Sequence, residues 1–218
     1  MEVISMEALS VREINSAIRN AANHNHQDKV YVQNASGLNN IAVGIKERVG
    51  ITIGSNVGDL IGALNDGAII QVEGNAGKYA GDGMTAGEVI IKGEADDGAG
   101  TAMCGGTLVI KGNTKNHVGQ LLKGGTIVVG GNVGRHVGSF MIAGSVVIGG
   151  DAGMELGGSM IGGTIYIRGS HETLGPGLLE TELSENEKEL LRQLSAKFEL
   201  DLDVDMFRKI VPQPKKLI

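Results

Sequence analysis

The chain has no tryptophan, three prolines, three tyrosines, three phenylalanines and a single cysteine in 218 residues. One cysteine excludes an internal disulfide, and without a partner thiol it makes no zinc knuckle; Cys104 is expected at the edge of a core. No apolar run approaches the roughly 18 residues of a membrane-spanning helix, and the acidic start MEVISMEALS does not read as a signal peptide. A cytoplasmic protein without membrane contact is therefore expected. A formal net charge of -6 argues against a nucleic-acid footprint, which needs a basic surface. What the chain has in excess is glycine, 36 residues of it.

Those glycines are periodic. Gly74, Gly93, Gly112, Gly131, Gly150 and Gly169 stand 19 apart, with Ser55 one unit earlier. Seven places into each unit from Ser55 onward comes a second set, Gly62, Gly81, Gly100, Gly119, Gly138 and Gly157. Before each closing glycine runs a short apolar segment, IIQV, VIIK, LVIK, IVVG, VVIG and IYIR. A fixed period near 20 residues marks a solenoid in which each unit is one coil. Four or five β-branched or apolar residues between glycines make a strand and are too few for a helix.

Equal coils place equivalent residues in register, so each strand pairs in parallel with its counterparts above and below. The expected fold is an all-β, right-handed parallel β-helix with 19-residue coils and short helical caps at both ends; the hand follows from the preference of parallel crossovers. Alternation turns two residues of each strand inward, from Ile70 with Val72 to Ile165 with Ile167. Two further ladders run through Met84, Met103, Leu122, Met141 and Met160, and through Ile61, Ala80, Ala99, Val118, Val137 and Leu156. The second glycine set is expected at turns that need positive φ or close coil contact. Runs such as GNAGKYAG are not nucleotide signatures, because they recur on every coil with no following helix and no GK[ST].

Three segments are expected: residues 1–54, an amino-terminal helix and irregular first coils; 55–169, the regular β-helix; and 170–218, a carboxy-terminal helix and tail, all forming one structural domain. Ser10 with Glu13 makes a capping box before a stripe of Val11, Ile14, Ala17, Ile18 and Ala21. A polar linker, NHNHQDK, follows, then three apolar runs at Val30, Ile41 and Ile51 that read as coils off the strict period. Ser184 with Glu187 makes a second box before Leu190, Leu191, Leu194 and Phe198. The tail with Phe207, Ile210 and Val211 reads as extended.

Candidate chemistry is sparse. His117, His136 and Glu155 share one slot on successive coils above Tyr79, and a metal there would need ligands that converge, whereas an outward row stacks in parallel. Asp96 and Asp97 are adjacent on a turn and diverge, which suits solvent better than acid-base work. Neither catalytic, cofactor-binding nor metal residues are assigned. The outward row Ile90, Val109, Val128, Val147 and Tyr166 is apolar although the core is already filled from inside. A strand apolar on both faces is covered on both, so the row docks either the carboxy-terminal helix, whose area it matches, or a partner subunit. A polysaccharide-cleaving groove would want charges clustered on one outer face, and here they are scattered.

The stretch GSNVGDLIGALNDGAIIQVEGNAGKYAGDGMTAGEVIIKG resembles the glycine-repeat carboxy-terminal domain of the glutamate synthase large subunit, in which G-x-x-G-x-x-x-G followed by a strand recurs. The resemblance spans most of the chain. It implies a β-helix without catalytic residues, acting as a scaffold subunit in nitrogen metabolism beside a glutaminase-type amidotransferase subunit and an FMN and iron-sulfur synthase subunit. The chain lacks the cysteine nucleophile and the cysteine cluster of those parts, so they are expected on other chains, and no cofactor is expected here. A subunit of formylmethanofuran dehydrogenase has similar repeats and is the alternative; a self-associating structural β-helix, seen as a homo-oligomer, is the third.

Overall fold

A computed structural model describes residues 2–5, 9–23 and 29–214, and residues 24–28 of the polar linker lie outside these. Eleven strands among the described residues form one continuous ladder: β1 (Glu2–Ser5), β2 (Lys29–Gln33), β3 (Gly50–Ile53), β4 (Asp66–Val72), β5 (Ala86–Ile91), β6 (Thr107–Ile110), β7 (Thr126–Val129), β8 (Ser145–Ile148), β9 (Thr164–Ile167), β10 (Leu178–Glu182) and β11 (Arg208–Pro212). Their order is sequential to β9 and then runs β11, β10. From β1 to β9 every pairing is parallel. The protein is a β-solenoid.

The register shows why the repeat dictates the fold. Ile70 pairs with Val89, Val89 with Leu108, Leu108 with Ile127, Ile127 with Val146 and Val146 with Ile165, so each coil advances one strand spacing. All of these side chains are buried, as are the methionine and small-residue ladders. Each buried aliphatic contributes roughly 1.5–3 kcal/mol, which offsets the ordering of a glycine-rich chain. The strict register starts earlier than the glycines suggest: Ile51 pairs with Ile70, while Val30 to Ile51 is a longer step. The apolar run at Ile41 is therefore not a coil of its own. It is the turn side of the first coil, with Ile41 and Ile45 buried.

Both ends are closed, by different means. Helix α1 (Val11–Asn23) begins with the expected capping box, Ser10 N donating to Glu13 Oε2 at 2.8 Å. It lies within the β1 to β2 crossover and buries Ile14, Ile18 and Ala21. Asn15 Nδ2 and Arg19 Nη2 donate to the carbonyls of Asn40 and Val43, at 2.8 and 2.7 Å, tying it to the first coil. At the other end the expectation of a helical cap needs correction. Helix α2 (Glu185–Phe198) lies against the solenoid's flank, and the end is covered instead by β11, which pairs antiparallel with β9 and in turn with β10. The extended tail thus supplies hydrogen bonds to an edge that would otherwise template association, and Ile210 completes the interior stack.

Candidate functional site

The turn glycines stand where the period places them. Gly62, Gly81, Gly100, Gly119, Gly138 and Gly157 all have φ between 62° and 71°. A methyl added at Gly138 would stand 2.8 Å from Ile165 Cδ1, and one at Gly100 would collide with Ile127 Cδ1. These glycines satisfy both demands, left-handed backbone and close approach to the aliphatic ladder of the next coil.

The outward apolar row is occupied by the chain's own carboxy-terminal segment. Val109, Val128, Val147 and Tyr166 form a second buried cluster with Leu183, Leu191, Phe198, Leu202, Val204 and Phe207, and Ile90 packs at its edge. The stripe of α2 is narrower than expected. Leu191 and Phe198 are buried and Leu194 partly so, while Leu190 faces solvent, because it stands about 100° around the helix from Leu191. Polar contacts fix the helix in place. Glu187 closes the capping box with Ser184 and lies 2.9 Å from Lys209 Nζ on β11, and Tyr166 Oη donates to it at 3.4 Å. Burial pushes the Glu187 carboxyl up, but the Ser184 hydroxyl and Lys209 outweigh it and hold the group at about 2. Lys197 pairs with Glu88 at the helix's far end.

The histidine slot is a stack. His117 and His136 lie ring on ring, centroids 5.2 Å apart and planes within 12°, and Nδ1 of His117 is buried there without a hydrogen-bond partner. Glu155 continues the slot in the exposed position. Among the described residues no three His, Cys, Asp or Glu side chains are placed to hold a metal ion. Asp96 and Asp97 diverge as expected: Asp96 meets Lys115 Nζ at 2.9 Å, while Asp97 Oδ1 accepts from Asn116 N at 3.0 Å on the next coil. Burial raises the Asp96 carboxyl, and Lys115 more than reverses this, leaving it below its ordinary range. Cys104 corrects the sequence expectation, for it is exposed.

One set of residues went unread in the sequence. On most coils the residue after the closing position accepts a backbone hydrogen bond from the next coil: Asn56 Oδ1 from Asn75 N at 2.8 Å, Asn75 Oδ1 from Glu94 N at 2.9 Å, Asn113 Oδ1 from Asn132 N at 2.8 Å, Asn132 Oδ1 from Asp151 N at 2.8 Å, and Asp151 Oδ1 from Ser170 N at 2.7 Å; Glu94 instead accepts from Asn113 Nδ2. This side-chain ladder satisfies amide donors at a corner where strand pairing has lapsed. The recurring GN or GD was its signal.

Beside that ladder a cavity of about 630 Å³ is lined by Arg135, Asp151, His171 and Glu172 among others. Two of its titratable groups, Asp151 and His171, are engaged structurally. Asp151 accepts from Ser170 N and Oγ, and His171 Nε2 lies 2.9 Å from Glu180 Oε2, which with Arg208 at 2.7 Å links the last coil to β10 and β11. The His171 contact is the largest reason the Glu180 carboxyl sits below its ordinary range. The Ser170 hydroxyl is committed to Asp151 Oδ1 at 2.9 Å.

Comparison with known proteins agrees with the repeat. The profile of the GXGXG motif family matches residues 10–199. Among solved structures, a chain of the formyltransferase/hydrolase complex (FhcABCD) from Methylorubrum extorquens, crystallised with methylofuran, superposes with a TM-score of 0.63 at 23% identity, covering 92% of this chain and 85% of that one. A search of curated proteins gives no match.

Proposed function

Because the chain belongs to the GXGXG motif family, we propose that it is a β-solenoid scaffold subunit of a multi-subunit enzyme complex, such as a formylmethanofuran dehydrogenase or a formyltransferase/hydrolase complex like FhcABCD. The observation that carries this reading is the extent of the match: 85% of the FhcABCD chain is covered by this fold, so a solenoid of this size can make up nearly a whole subunit. The glutamate synthase-type assembly expected from the sequence resemblance is not confirmed by the comparisons, and a glutaminase or FMN synthase partner remains the second reading on that resemblance alone.

The site chemistry is consistent with a scaffold. The histidines stack, the carboxylates are held by neighbouring coils, and the outward row is filled by α2. What the molecule offers partners is fixed geometry, which a flexible linker does not supply. Affinity purification of the tagged chain from its native cells tests the reading. Formyltransferase and hydrolase chains are expected to co-purify, and loss of this chain is expected to dissociate them. Recovery of a glutaminase and an FMN synthase instead would establish the second reading, and recovery of neither would overturn both.

A further inference from the structure

We draw no further inference here: the strongest candidate, the exposed apolar flank of the solenoid at Leu121, Phe140, Ile142 and Ile161, carries nothing, because nothing in the structure shows what covers it.

Discussion

Gly37 and Gly100 share nearly the same backbone, φ 73° and 69°, but not the same surroundings. Nothing lies within 4 Å of a methyl added at Gly37, whereas one at Gly100 meets Ile127 Cδ1. Gly37→Ala should therefore cost about 1 kcal/mol, the conformational term alone, and Gly100→Ala about 2–4 kcal/mol, with overpacking added. Chemical denaturation of the two variants checks this, and equal costs would refute the steric part. On the corner ladder, Asn132→Ala removes the acceptor for Asp151 N and should cost about 1 kcal/mol. Asn132→Asp should be nearly silent, since Asp151 serves Ser170 in the same way one coil on; melting curves distinguish the two. Repetition made the turn glycines legible, because a slot filled six times by the one residue without a Cβ has few explanations. The ladder was not legible as such. Asn after Gly also marks ordinary turns, and its reach to the next coil depends on how closely the coils stack.

At the scale of elements, both helices announced themselves through capping boxes, and their placement was the harder part. A stripe of leucines says that a helix is buried but not against which surface, so α2 was equally compatible with the end of the stack and with its side. The outward row from Val109 to Tyr166 held the answer, and that row was visible in the sequence. Leu191→Ala should cost about 2–4 kcal/mol and loosen α2 ahead of the coils, which hydrogen exchange would show as early loss of protection confined to Glu185–Phe198. The helix also carries a pH dependence. The folded Glu187 carboxyl is held at about 2 against an ordinary value of 4.5. A depressed acid contributes stability that is complete above about pH 4.5 and is lost as the pH falls towards 2. Glu187→Gln should therefore be less stable than the parent at pH 7, with the gap closing by pH 2 to 3, as measured by urea titration at both values. A gap independent of pH would assign the effect to packing.

For the molecule as a whole, the two ends behave unequally. The first coil is closed by a helix threaded into its own crossover, the last by strands that return after a long excursion through α2. Cutting the chain after Phe207 removes β11, bares the edge of β9 and uncovers the interior at Ile165 and Ile167, so the truncated protein should scatter light and lose monodispersity at concentrations where the full chain does not. A truncated chain that stays monodisperse would show that β11 is dispensable as a cover. The equal register of the coils has a further consequence. Eleven strands in one ladder span ten spacings of about 4.8 Å, roughly 48 Å from end to end, and every 19-residue coil that is excised or duplicated changes that span by one such step. The molecule is thus a ruler with fixed graduations: the distance between two proteins anchored along it is set by a whole number of coils, and variation in repeat number can adjust that distance only in quanta.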